Sequence, residues 1–517
     1  MSAALAKSSP TRRNVIAASL AAACTGAVPR RAAAGQSPSW MIHLTASQAA
    51  ARIRRGKLSA ERYVAALIAQ SDLINSLNMF ISRDDSSLLR GAREIDRLRA
   101  AGYRLGAMAG IPLLVKDNIN AVGLPATAGT PALVRNQPVQ NAPLLAQLFR
   151  ANALLFGKMN MDELAFGVTS DNPTYGAVHN PYAFGRIPGG SSGGTAAGIA
   201  ARVSPVGLGT DTAGSGRGPA SLCGVVGFRP SIGRYPAGGT VPTSHTRDVI
   251  APLGRTVADV VLIDYALTGR PIRRDLPLSG LRLGVPRSSF WNNLEPETEA
   301  VANEALGYLR AAGVMLVDVE LPGLADLVTK NSIILAYEAI NDLAAYLTTT
   351  SLSITVQDVI AQIATPIVAA SYQSFLGAST DTQDYNTALT VYRPQLQELY
   401  ANCFSQNGVQ ALCFPPTPST APPIGQQTLV LDGVEVPVLN SFIENLNPGA
   451  SSGQPGLVVP AGLSRSGLPV GLEFDGPIGS DDDLLAIGLA AEKVFPPVSR
   501  RDCDGDRDCG PPGWRRG

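Results

Sequence analysis

Only six of the 42 basic residues in this 517-residue chain are lysines: Lys7, Lys57, Lys116, Lys158, Lys330 and Lys493. In a chain that otherwise uses arginine, a lysine calls for a reason. Lys116 follows the unbroken apolar run Ile111-Pro112-Leu113-Leu114-Val115, so it is expected at the end of a buried strand with its amine partly desolvated. A buried ammonium falls readily from about 10.4 towards neutrality and becomes a base, whereas a guanidinium stays charged. The plainer use of such a lysine is to reach solvent or to pair with its neighbour Asp117.

The second chemical feature is Pro188-Gly189-Gly190-Ser191-Ser192-Gly193-Gly194, a glycine-serine loop leading into the helical Thr195-Ala196-Ala197-Gly198-Ile199-Ala200. Four glycines let a backbone take positive φ or run close against another segment. A flexible linker would have the same composition, but this loop lies within a core-rich stretch and runs directly into a helix, which favours a shaped loop. No Gly-Lys-Ser/Thr follows, which argues against a phosphate cradle. The text Gly189-Gly190-Ser191-Ser192-Gly193 also satisfies G-x-S-x-G. A nucleophile elbow needs a strand just before it and a histidine base far downstream. Residues 182 to 188 make a poor strand, and His245 is the only histidine that follows.

Ser215, twenty-four residues beyond Ser191, stands in Gly207-Leu208-Gly209-Thr210-Asp211-Thr212-Ala213-Gly214-Ser215-Gly216-Arg217-Gly218-Pro219. Here a strand runs into a glycine-bracketed turn presenting Ser215. Small neighbours leave the backbone N–H groups of Thr212, Ala213, Gly214 and Ser215 free to converge on one point, as an oxyanion hole requires.

Elements must hold these three segments together. Thr45 and Gln48 stand in capping-box spacing, Gly56 stops the helix they open, and residues 45 to 103 read as a helical entry layer. Short apolar runs then alternate with helical patterns: 111–115, 153–156, 206–208, 281–285, 314–319, 457–459 and 470–474. That alternation predicts an α/β fold, a single large domain with a central mixed sheet covered by helices on both faces. Residues 320 to 430 read as mostly helical. The composition is 45% hydrophobic and 16% charged, against roughly 25% charged in an average soluble domain, which fits a large core. A formal net charge of +1 offers no basic face to a polyanion, so no nucleic-acid partner is expected.

Lys116, the GGSSGG loop and the GTDTxGSxR segment, spaced by 75 and 24 residues, together resemble the amidase signature family over about residues 43 to 495. The resemblance implies that Lys116, Ser191 and Ser215 form a catalytic triad with a cis peptide between Gly190 and Ser191, acting through an acyl-serine intermediate and without metal or organic cofactor. The chain departs from the commonest family text at Ala213, Gly216 and Gly218, so a roomier wall beside the nucleophile is expected. Residues 162–170, 241–248 and 467–475 are similar to the branch of indoleacetamide and mandelamide hydrolases. By that similarity the substrates are primary amides of arylacetic acids, with Phe166 and Phe442 and the helical stretch 330 to 430 as candidates for the acyl pocket. His245 is expected to be structural, since the lysine relay supplies the base. Alternatives within the family are a broader aryl and aliphatic amidase and the glutamine-dependent tRNA amidotransferase subunit; a different class is a non-catalytic binding protein on the same fold. A homodimer is compatible with each of these.

The first forty residues read as an address. Thr11-Arg12-Arg13 leads into the apolar run Val15 to Val28, then Arg30-Arg31 and Ala32-Ala33-Ala34, resembling a twin-arginine export signal with a mature start near Gly35. A run of this length is shorter than the roughly 20 residues of a membrane-spanning helix. Two other readings stand beside it: translation from Met41 in the cytoplasm, and lipidation of Cys24. The expected organisation is therefore an address over residues 1–40, one domain over 41–497 and a disordered tail over 498–517, in which Cys503 and Cys509 stand without a role. Six cysteines without a CxxC pair and three histidines suggest no metal cluster.

Overall fold

The computed structural model describes residues 39–379 and 381–498. The export motif with Cys24, and Cys503 and Cys509 of the tail, lie outside the described residues.

The chain enters through helices, as the sequence indicates. Thr45 caps the helix Ala46–Arg54 in a reciprocal box, Gln48 N–H donating to Thr45 Oγ1 at 3.1 Å and Thr45 N–H to Gln48 Oε1 at 3.2 Å. Gly56 follows with φ +68°, and the helices Ala60–Leu73 and Asp85–Ala100 come after it. Met41 packs in the core, 2% exposed.

Eleven strands form one sheet: β1 Phe80–Arg83, β2 Pro112–Lys116, β3 Leu154–Met159, β4 Val206–Asp211, β5 Val226–Arg229, β6 Val249–Gly254, β7 Arg282–Val285, β8 Met315–Asp318, β9 Ala411–Phe414, β10 Gly456–Leu463 and β11 Pro469–Asp475. They lie in the order β1-β3-β2-β4-β6-β5-β10-β11-β9-β7-β8. Strand β2 runs parallel to β3 and β4, and β7 parallel to β8 and β9, while the other neighbours are antiparallel. The sheet is mixed and covered by helices. Every residue of β2, β4, β9 and β11 is buried, and β2, β4 and β11 accordingly read as continuous apolar text rather than as alternation.

All seven apolar runs picked out in the sequence are strands. Four further strands were not legible: β1 inside the supposed helical layer, β5, β6 around Pro252, and β9 within the stretch expected to be helical. At the end of that stretch begins the hairpin Thr428–Leu431 with Val434–Pro437. Its turn is Asp432-Gly433, both at positive φ, a dipeptide that suits two-residue hairpins. Long helices dominate the remainder, among them Ser332–Leu347 and Pro366–Ala378, which bury their own apolar cluster with Val356–Ile360 around Leu343, Val359 and Tyr372. Among the described residues no helix is long and apolar enough to cross a membrane. Cys223, Cys403 and Cys413 are buried free thiols.

Candidate active site

Lys116 ends β2 with its side chain wholly buried. Strand β2 pairs in parallel with β4 through Leu114–Gly207 and Val115–Leu208, which carries Lys116 towards Thr210. Lys116 Nζ lies 2.6 Å from Ser191 Oγ and 2.8 Å from Thr210 Oγ1, both within hydrogen-bonding distance. Asp117, its sequence neighbour, turns away to Lys158 Nζ at 3.2 Å. The two partners of Lys116 are thus hydroxyls, not a carboxylate. Burial pushes the Lys116 amine down to about 7, and Asp162, Asp211 and Asp248 only partly oppose it. An amine at this value is half neutral near physiological pH and able to take a proton.

Ser191 sits at 0% exposure between Gly190 and the helix Gly193–Ala200. The Gly190–Ser191 peptide is cis. The glycines of this loop are there because other atoms press on the backbone: a Cβ on Gly190 would fall 1.9 Å from Asp162 Oδ2, and one on Gly194 2.4 Å from the Asn160 carbonyl oxygen. Ser170 ties the loop down, donating its hydroxyl to the Gly189 carbonyl at 2.9 Å and accepting the Gly193 N–H at 3.1 Å. Asp162 takes the Ser170 N–H at 2.8 Å, and burial pushes its carboxyl up to about 6. Ser191 Oγ also lies 3.0 Å from the Ala165 carbonyl oxygen, a hydrogen bond the hydroxyl donates.

Ser215 follows β4 and precedes the helix Arg217–Leu222. The two serine segments are stitched together by the Ser192 N–H donating to the Ser215 carbonyl at 3.2 Å. Ser215 lines a narrow cleft with Gly189, Gly190, Ala213, Gly214, Val168 and Phe442. Behind the turn, Asp211 accepts the N–H groups of Gly214 at 2.9 Å and Gly216 at 3.2 Å. Burial alone would raise Asp211, but Arg217 and Arg229 hold it well below the usual carboxylate range. Gly214 thereby leaves the predicted oxyanion set, because its N–H is committed to Asp211; Thr212, Ala213 and Ser215 remain. Thr212 is fixed from the side, its hydroxyl donating to Asp248 at 2.5 Å.

A fully buried lysine thus contacts a serine on a glycine loop, and the next residue of that loop is tied through its backbone to a second serine on a tight turn. The profile of the amidase family matches residues 62–485. The chain belongs to the amidase signature family. It is 41% identical over 451 residues to an indoleacetamide hydrolase of Allorhizobium ampelinum, covering 87% of this chain and 97% of that one. A mandelamide hydrolase of Pseudomonas putida is 34% identical over 476 residues, 89% and 92% of the two chains. A crystal structure of an amidase superposes with a TM-score of 0.79 at 29% identity, covering 88% of this chain and all of its own. This chain is an amidase, a hydrolase of amide C–N bonds.

Phe442 and Phe166 part company in this amidase. Phe442 lines the Ser215 cleft, whereas Phe166 packs edge-on against Tyr372 and Phe375, with ring centroids 6.1 and 5.6 Å away. The roomier wall holds only in part. At Gly216 a Cβ would meet Ala251 Cβ at 2.7 Å, so that space is already filled; at Gly218 it would have an ordinary contact with Leu446 at 3.6 Å. His245 lies away from the lysine, its side chain 61% exposed and its Nδ1 3.0 Å from Asp342. Together with Glu338 these form a His-carboxylate group whose ligand atoms lie within 4.8 Å of one another. Nothing in the sequence spacing joins position 245 to a helix beginning at 332. Glu338 is already satisfied there by Ser244, Thr246 and Tyr385. Reading residue by residue also missed Thr210, Asp162 and Asp248. All three lie inside the motif segments 207–219, 162–170 and 241–248, so the signal was present, but only the fold aims their side chains at the site.

Proposed function

We propose that this amidase hydrolyses primary amides of arylacetic acids, with indole-3-acetamide first and mandelamide or phenylacetamide next, through acylation of Ser215. Neutral Lys116 takes the proton of Ser191, which takes that of Ser215 as its oxygen attacks the amide carbonyl. The N–H groups of Thr212, Ala213 and Ser215 hold the tetrahedral oxyanion, each such donor contributing roughly 3 to 4 kcal/mol in comparable sites. The relay then returns a proton to the nitrogen, ammonia leaves, and water releases the acid from acyl-Ser215. The observation that carries this reading is the 2.6 Å contact between Ser191 and a fully buried lysine lowered to about 7. The substrate class draws support from the indoleacetamide and mandelamide hydrolases that the chain resembles, and from apolar Val168, Phe442, Ile443 and Leu446 around Ser215.

The test is kcat/KM of the purified protein, without partner or nucleotide, for indole-3-acetamide, mandelamide, acetamide and glutamine. An apolar pocket separates acyl groups differing by a methylene or hydroxyl only about 10- to 200-fold, so several arylacetamides should turn over. Preference for glutamine or acetamide would overturn the substrate class. No ammonia release from any amide would point to the non-catalytic reading.

A further inference from the structure

Behind the Ser215 turn lies a charge cluster with no access to water. Asp211, Arg217, Arg229, Glu473 and Asp475 are each at most 1% exposed. Arg217 spans it: Nε donates to Asp211 Oδ2 at 2.9 Å, one terminal nitrogen donates to Glu473 Oε1 at 2.5 Å, and Asp475 Oδ1 lies 3.8 Å from that same nitrogen. Arg229 Nη1 lies 3.3 Å from Asp211 Oδ1. Glu473 and Asp475 are two apart on β11 and so project from the same face of the strand. Two guanidinium groups thus face three carboxyl groups.

Were all three carboxyls ionised, the cluster would carry an unmatched negative charge in a dry interior. Glu473 Oε2 and both oxygens of Asp475 receive no hydrogen bond from any other group. Backbone walls them in, since a Cβ on Gly449 would fall 2.3 Å from Asp475 Oδ2 and one on Gly456 2.5 Å from Glu473 Oε1. An unpaired buried charge is costly, and a carboxyl escapes that cost by keeping its proton. We propose that Glu473 and Asp475 share one proton at neutral pH, and that this pair, acting through Arg217 and Asp211, holds the Ser215 turn in position. With one proton the cluster is neutral, and Arg217 divides itself between Asp211 and Glu473. With none, the extra charge on β11 draws the Arg217 guanidinium away from Asp211, whose other bonds are to Arg229 and to the Gly214 and Gly216 amides of the turn. Burial raises both carboxyls, opposed by Arg217 and, at Asp475, also by Arg229, while Asp211 and the buried hydroxyl of Tyr400 add no positive charge. Glu473 is a positioning residue, remote from substrate.

Infrared difference spectra of the folded enzyme at neutral pH read the proton directly. Wild type minus E473Q, and wild type minus D475N, should each show the loss of a protonated-carboxyl carbonyl band that shifts in D2O. Absence of that band from both differences would overturn the proposal. In kinetics, E473L should lower kcat about tenfold or more with KM little changed, and E473Q should restore it to within about threefold, because glutamine supplies an N–H in place of the shared proton and an oxygen for Arg217. A folded E473Q as impaired as E473L would mean that an ionised Glu473 is required, and would overturn it equally. Both readings stand whichever amide proves to be the best substrate.

Discussion

A lysine serves as a base only while it is neutral, and burial is what brings Lys116 into a range where about half of it is neutral near physiological pH. With its amine lowered to about 7, the rate should climb with an apparent pKa near 7 as pH rises from acid, the protonated form being inactive. Lys116→Arg should lose about 10²- to 10⁴-fold in kcat, as much as Lys116→Ala, because the charge is kept and the base is lost. Assays of both variants against pH check this; an active arginine variant would make Lys116 only a cation. The same shift has a stability consequence. Below about 7 both the folded and the unfolded chain carry the proton, and the fold bears the full cost of burying a charge. Between about 7 and the ordinary value of 10.5 the folded chain has lost a proton that the unfolded chain still holds, so stability rises with pH. Lys116→Met should therefore raise Tm most at acid pH, with the gain shrinking above neutrality. Ser215→Ala should leave Tm unchanged and lower kcat by on the order of 10⁴- to 10⁶-fold, which thermal melts and ammonia release measure together.

Among the elements, the GGSSGG loop and the Ser215 turn stand side by side yet tolerate change differently. Gly190 is pinned: its Cβ would collide with Asp162 Oδ2 at 1.9 Å and with the Thr169 nitrogen at 2.8 Å. Gly190→Ala should destabilise by about 1–3 kcal/mol and abolish turnover, because relief must come from moving the loop that holds Ser191. Gly218 is the second residue of the helix Arg217–Leu222 and has room. Gly218→Ala should be neutral or gain up to about 1 kcal/mol from helix propensity, while its methyl narrows the Ser215 cleft. The expected readout is a fall in kcat/KM for arylacetamides relative to acetamide at unchanged or higher Tm. Equal losses on both substrates would place Gly218 outside the acyl side of the cleft.

For the molecule as a whole, buried carboxyls set the pH dependence of stability. Burial raises Asp162 and Asp259 to about 6 and Glu492 to about 7. A carboxyl raised in the fold contributes fully below its unfolded value of about 4, and the contribution is lost as pH climbs through 6 to 7. Asp211, held low by its arginines, acts oppositely and protects only above its own depressed value. Stability should therefore peak on the acid side of neutrality and decline towards pH 7. Glu492→Gln keeps an oxygen for the Val257 N–H, now accepted at 2.9 Å, and should raise Tm at alkaline pH while leaving it unchanged near pH 4. A flat difference between the two Tm curves would show that Glu492 titrates as in the unfolded chain.

By itself the sequence determined the chemistry-bearing segments and seven of the eleven strands of the sheet, those written as continuous apolar runs. A lysine closing an apolar run, two glycine-bracketed serines and seven continuous hydrophobic stretches are local patterns, written by burial and backbone freedom into consecutive residues. It did not determine which partner each side chain meets. Lys116 and Asp117 are neighbours in the chain, yet one faces Ser191 and the other Lys158; Phe166 joins Tyr372 and Phe375 rather than the cleft; and Gly214 gives its amide to Asp211. β5, β6 and β9 were illegible because short strands acquire their identity from the neighbours they pair with. The buried arginine–carboxylate cluster is the extreme case, joining Asp211 to Glu473 across the sheet. Its charge balance exists only once β11 is laid beside β10 and the helix Arg217–Leu222 is packed on both, since contacts made through long-range strand pairing leave no period in the chain to be read.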